Sequence, residues 1–163
     1  MSKTRQALDE MVDWHTPPTT FKVVKRHPDA KMPQRSHPHD AGWDVFTVDG
    51  PYMLRPGARK NFSLGLAFDI PKGWEIQMRP RSGLALKQGI TVLNSPGTID
   101  AGYTGTNTVV LINHGDDPVD IVPGMKIAQL VFARVADVVL EEGTEEDLGP
   151  SDRGAGGFGS TGV

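Results

Sequence analysis

Phe62, Leu64, Leu66, Phe68 and Ile70 fall on alternate positions, the period of two expected of extended chain with one face buried. After a Pro71-Lys72-Gly73 turn the alternation resumes at Trp74, Ile76 and Met78. Shorter apolar runs predict further strands over 21–26, 43–48, 91–93, 108–113, 119–122, 127–135 and 138–141. One short helix fits 83–88, with Ser82 as N-cap and Gly89 as its C-terminal stop. Residues 3–14 read as a short amphipathic helix with Leu8, Met11 and Val12 on one face, set apart by the breaker at 15–20. Many short, closely spaced strands predict an all-β sandwich, jelly roll or small barrel. The chain divides into an N-terminal extension (1–20), a β domain (21–140) and a flexible C-terminal arm (141–163) that is first acidic and then glycine-rich.

Composition narrows the function. At 163 residues the chain suits one domain with a real core, and its 19 glycines and 13 prolines favour turns over long helices. A net charge of −3 gives no global attraction to nucleic acid, so direct nucleic-acid binding is not expected. The absence of cysteine removes disulfides and thiolate catalysis. Asp9, Glu10 and Asp13 break the N-terminus before any apolar run, which argues against a secretory signal. No stretch approaches membrane-spanning length, and the cytoplasm is the expected compartment.

Five segments carry chemistry. Ala41-Gly42-Trp43-Asp44 presents a carboxylate beside a glycine, and taken alone reads better as a turn aspartate. Pro80-Arg81-Ser82-Gly83 runs from a strand end into the helix and gathers an arginine, a hydroxyl and free amides, as an anion site would. Residues 94–105 form a turn-rich hairpin in which Asn94 can both donate and accept, Asp100 can act as general base, and Tyr103 follows three positions on. Gln129 stands in the apolar strand 127–135 and needs a partner for its amide. The tail combines Arg153 with Phe158, Gly159, Ser160 and Thr161 on a glycine-rich backbone. It is either a flexible terminus or a lid that orders over a nucleotide, with cation and hydroxyls on phosphate and the ring on a base. His37, His39 and Asp40 raise the thought of a metal site, but their spacing beside Pro38 reads better as a solvated loop.

In this order, from about Phe21 to the C-terminus, the five segments resemble the five motifs of the trimeric dUTP pyrophosphatases (dUTPases). The second motif, the Gly97-Thr98-Ile99-Asp100 core of the third and the run 156–162 carry the resemblance most closely. It implies a distorted jelly-roll β-barrel with one short helix and a glycine-rich arm, assembled as a homotrimer with three shared sites. It implies hydrolysis of dUTP to dUMP and pyrophosphate with Mg²⁺, which keeps uracil out of DNA and supplies dUMP for dTMP synthesis. Asp100 matches the aspartate that activates water. Asn94, Gly97, Thr98 and Ile99 match the uracil hairpin, and Tyr103 matches the ring under deoxyribose. Arg81, Ser82 and Gly83 match the phosphate motif, and Gln129 the glutamine near the α-phosphate. Thr108 joins the substrate-binding set. Asp44 matches the carboxylate that holds Mg²⁺ through water. Phe158 matches the ring that stacks on uracil, and Arg153, Gly159, Ser160 and Thr161 the triphosphate clamp, usually closing over a neighbouring subunit.

The chain departs from the family pattern at Trp43, Val45, Thr104, Thr106, Met125 and Lys126. These departures bear on subunit contacts and affinity more than on the reaction, and with the unmatched N-terminus they leave room for a regulatory protein partner. A hairpin that pairs with uracil discriminates by roughly 10⁴–10⁵ against a base lacking the matching groups. Thymine differs by one methyl and must be rejected by a steric wall, for which hairpin backbone at Gly97 is the expected source. The alternatives are a dCTP deaminase-like enzyme, which would require a water-activating glutamate that the hairpin lacks, and a nucleotide-gated regulator on the same fold.

Overall fold

The computed structural model describes residues 19–152 and 154–157. The predicted helix at 3–14, and the tail residues Arg153, Phe158, Gly159, Ser160 and Thr161, lie outside them. The described chain is a β jelly roll of short antiparallel strands: β1 Lys22–Lys25, β2 Trp43–Phe46, β3 Tyr52–Leu54, β4 Arg59–Ser63, β5 Leu66–Asp69, β6 Trp74–Arg79, β7 Ile90–Val92, β8 Gly97–Ile99, β9 Thr108–Asn113, β10 Val119–Ile121 and β11 Lys126–Arg134. The helix α1, Ser82–Gln88, follows β6. The largest sheet runs β2-β11-β6-β8, the next β4-β9-β7, and β1-β5 and β10-β3 form ribbons.

The predicted alternation at 62–70 is correct for burial and wrong for connectivity. Phe62, Leu64, Leu66, Phe68 and Ile70 are all 5 % exposed or less. Yet the segment is two strands, broken at Gly65 (φ +63°), where any Cβ would strike the His27 Cβ at 2.6 Å. The core continues through Leu54, Ile76, Leu111, Ile121, Ile127 and Leu130. It also holds the buried Asn113, whose Nδ2 donates to the carbonyls of Leu54 (2.9 Å) and Asp117 (2.8 Å) while its Oδ1 accepts from the Gly115 amide. A buried amide so satisfied pins the 113–117 turn to the core.

Three expectations are corrected. Ser82 is the first residue of α1, not its cap: Arg81 takes the cap position in extended conformation and no side chain caps the helix. Gly89 does end the helix as expected, in the left-handed region (φ +67°). The segment 138–141 forms no strand; Val138, Val139 and Leu140 stand 68, 84 and 92 % exposed. β3 and β8, three residues each and too short to show a period, were not anticipated. Beyond β11 a 3₁₀ turn, Glu145–Asp147, is closed by its own capping box: the Asp147 carboxylate accepts from the Thr144 amide (2.7 Å) and hydroxyl (3.1 Å). The backbone bond, and after it the hydroxyl, hold the Asp147 carboxyl below the usual aspartate range. Among the described residues no helix is long and apolar enough to cross a membrane.

Candidate active site

The largest sheet builds the first half of the site. Its register sets Asp44 of β2 opposite Gln129 of β11, and Gln129 opposite Arg79 of β6. Cross-strand partners share a face, so these polar side chains leave the core together. β6 then runs through Pro80 into α1, which brings Arg81 back over β2. Arg81 Nε donates to Asp44 Oδ1 at 2.8 Å, and Lys126 Nζ donates to Asp44 Oδ2 at 2.8 Å. Arg81 Nη1 also donates to the Lys126 carbonyl at 3.2 Å. Gln129 Nε2 donates to the Pro80 carbonyl at 2.9 Å, fixing the strand-to-helix junction. The interior amide thus has the partner its burial demands.

Gly42 makes this packing feasible. A Cβ there would overlap Gln129 Oε1 at 1.9 Å, so the carboxamide occupies the volume a side chain would take. A cavity of about 300 Å³ opens above, lined by Gly42, Asp44, Arg81, Ser82, Gly83 and Gln129, with Ser36 and Asp40 at its rim. Two cations against one carboxylate, beside the uncapped first turn of α1, make it receptive to anions.

The second half lies past β8. Thr98, Ile99, Asp100, Tyr103 and Thr108 line a cavity of about 210 Å³ together with Asn107. The turn closes through the Tyr103 amide, which donates to the Asp100 carbonyl at 3.2 Å. The Tyr103 ring lies against the Gly105 backbone, where a Cβ would meet the phenol oxygen, and its hydroxyl reaches the Thr106 carbonyl at 3.4 Å. The Asp100 carboxylate and the Asn94 carboxamide are exposed and make no hydrogen bond to described residues. Gly97 is buried beneath Asn94: a Cβ there would meet Asn94 Nδ2 at 3.0 Å and Met78 Cβ at 3.4 Å.

The two cavities share no lining residue. Ile99 pairs with Ile76, so Asp100 leaves β8 opposite the Glu75 end of β6, while Arg81 follows the Arg79 end. Six extended residues separate the two, about 20 Å at ~3.3 Å per residue. Asp100 therefore lies at one end of β6 and Arg81 beyond the other, with Thr98 and Gly97 between them, opposite Gln77 and Met78.

Sequence reasoning missed Lys126, noted only as a departure, and Asn107. Lys126 reaches Asp44 because β11 carries a register shift between Lys126 and Ala128, a bulge no local pattern announces. Asn107 is 2 % exposed and donates through its backbone N–H and its Nδ2 to the Leu66 carbonyl. The His37–Asp40 loop is a loop: Asp40 accepts from the His37 amide at 2.9 Å, and no three-residue set of metal-binding side chains occurs among the described residues.

Comparison with known proteins bears on this arrangement. The sequence profile of the dUTPase family matches residues 28–162. A deoxyuridine 5'-triphosphate nucleotidohydrolase of Clostridium tetani is 48% identical over 143 residues, covering 88% of this chain and 97% of that one. A protein of the same name from Rhizobium rhizogenes is 57% identical over 126 residues, 76% of this chain and 80% of that one. Among solved structures, the dUTPase of Staphylococcus bacteriophage 80alpha with dUpNHpp superposes with a TM-score of 0.81 at 28% identity, over 90% of this chain and 100% of that one. A mutant dUTPase from phage phi11 of S. aureus, described as revealing the coordination of a structural Mg(II) ion, gives 0.72 at 25% identity, over 78% and 98%.

Proposed function

The chain belongs to the dUTPase family and hydrolyses dUTP to dUMP and pyrophosphate; from that premise we propose how its residues divide the work. Arg81, Ser82, Gly83 and Gln129 receive the triphosphate. Asn94 with the Gly97–Ile99 strand reads uracil, and Tyr103 and Thr108 flank the sugar. Asp100 orients and deprotonates the attacking water. Arg153, Phe158, Gly159, Ser160 and Thr161 close over the ligand, the ring on the base and the polar groups on phosphate.

The observation that carries this reading is the free Asp100 carboxylate beside a nucleoside-sized cavity. Around Asp44 the carboxylate, the Gln129 amide nitrogen and two of the Arg81 donors are committed to protein partners, whereas the Asp100 carboxylate has none among the described residues. A general base must be within hydrogen-bond reach of water in line with phosphorus, and a carboxylate without competing donors meets that condition. An aspartate in this place, with no glutamate in the hairpin, does not favour the deaminase reading.

The separation of the two halves supports a homotrimer with shared sites. Asp100 stands about 20 Å along β6 from Arg81, too far for both to serve one α-phosphate. Two chains that bring unlike halves together resolve this. The exposed Val135, Val138, Val139 and Leu140 after β11 offer apolar surface for such a contact.

Mg²⁺ supplies charge neutralisation and phosphate geometry when bound. The donor set fits an ion that arrives on the triphosphate: Asp44 has both oxygens committed to cations, and no cluster of metal-binding side chains surrounds it among the described residues. Asp44 would hold the ion through its water shell rather than as a direct ligand.

Pyrophosphate release from dUTP, dCTP, dTTP and UTP tests the reading. Selective dUTP turnover is expected, falling about 10³-fold in Asp100→Asn with unchanged thermal stability. Full activity in Asp100→Asn removes the proposed base.

A further inference from the structure

We propose that Lys126 is a positioning residue that keeps Arg81 available to phosphate by holding the far oxygen of Asp44. The proposal rests on the anion half being the triphosphate side.

A carboxylate and a guanidinium left to themselves form a two-pronged fork, with both oxygens on two N–H groups. That does not happen here. Asp44 gives only Oδ1 to Arg81, at Nε, while Oδ2 is held by Lys126 Nζ at the same 2.8 Å. The Asp44 side chain is 13 % exposed, so water cannot readily replace a lost partner. Lys126 also anchors Arg81 from below, since its own carbonyl accepts from Nη1 at 3.2 Å. A guanidinium has five N–H donors. Two are committed, one to each partner, and the remaining three are left for an anion.

Removing the ammonium changes this balance. Oδ2 of a largely buried carboxylate is left unpaired, and the nearest cation is Arg81. The carboxylate then rotates to fork onto the guanidinium, drawing away donors that phosphate would otherwise use. Lys126 does not line the cavity. In this proposal its effect passes through Asp44 rather than through contact with the ligand, and a double-mutant cycle separates that from Coulomb attraction at a distance.

The test uses the full chain with EDTA present and two probes: inorganic pyrophosphate and a non-hydrolysable dUTP analogue, each titrated by calorimetry. Lys126→Met and Lys126→Gln are expected to weaken both about tenfold, with Lys126→Arg restoring most of the loss. In steady state with Mg²⁺, KM rises about tenfold while kcat stays within about threefold. The deciding measurement is a double-mutant cycle. In an Asp44→Asn background, Lys126→Met is expected to cost nothing further. Additive losses would show Lys126 acting on the anion directly and would overturn the proposal, as would unchanged pyrophosphate affinity in both Lys126 variants. The pyrophosphate arm needs no turnover: absent dUTP hydrolysis by the wild type would sink the reading of the site while leaving the Lys126 cycle interpretable.

Discussion

The two halves of the site are built on opposite principles. Around Asp44 each side chain is locked by another: Arg81 and Lys126 on the carboxylate, Gln129 on the Pro80 carbonyl, Gly42 emptied to make room. Around Asp100 the reactive groups are left free, and only the backbone and the Tyr103 ring are fixed. A triphosphate brings several charges that a rigid set of donors can meet without reorganising. A water nucleophile and a base edge need vacant acceptors and donors. The networked half thus supplies geometry, and the open half supplies unspent hydrogen-bonding capacity.

The largest expected effect comes from separating the halves. Asp100→Asn and Arg81→Ala chains should each be nearly inactive. Unfolded together in equal amounts and refolded, they should recover about one quarter of wild-type sites, because a site drawing its halves from two chains finds both intact in that share of pairings. Recovery is read as pyrophosphate release after mixing, against each variant refolded alone. No recovery would place both halves on one chain and contradict the 20 Å argument.

The second test compares glycines. At Gly42 an added methyl displaces Gln129 Oε1, the end of a flexible side chain, so the fold survives, but the carboxamide must leave Pro80. At Gly97 the methyl presses on Asn94 Nδ2 at 3.0 Å, a group with no partner to lose. Gly42→Ala is expected to lower kcat about 10²-fold, and Gly97→Ala to raise KM about threefold. The valine at 97 is more severe, since its branches reach both Asn94 and Met78. Its mechanism is displacement of Asn94 rather than the loss of a bare backbone wall. Equal kinetic damage from the two alanines would erase the distinction between a locked and an open half.

Much of this was legible in the residues, and the failures have physical causes. Thr108–Asn113 was read to the residue because its Val109-Val110-Leu111-Ile112 run is continuous, largely β-branched and bounded by polar residues. The 62–70 run was misread because burial keeps its period across a left-handed glycine, and periodicity reports burial rather than hydrogen bonding. The segment 138–141 has the composition of a strand but finds no partner strand within the described chain; propensity specifies readiness to pair, not the partner. The site residues were recoverable as types, because an arginine before a helix and an aspartate in a glycine hairpin carry chemistry on their face. The distance between Asp100 and Arg81 was not, since it depends on the β6–β8 register. Lys126 was hidden for the same reason: a bulge opposite β2 turns it toward Asp44.

The smallest effect lies at the start of the arm, where the helical element among the described residues is the turn closed by Asp147 and Thr144. The folded state binds the ionised carboxylate, so the Asp147 pKa is lowered relative to the unfolded chain. The sign follows: the turn's extra stability is fully present above the ordinary aspartate value and is lost as pH falls through the lowered folded one. At neutral pH, Thr144→Ala should leave turnover unchanged within about twofold, since only the hydroxyl bond is removed and the stronger amide bond persists. An NMR titration of the Asp147 carboxyl should show a midpoint below that of a free aspartate, moving partly back in Thr144→Ala. An unshifted wild-type midpoint would mean that the turn is not held by this pair in solution, and that the arm begins directly at the end of β11.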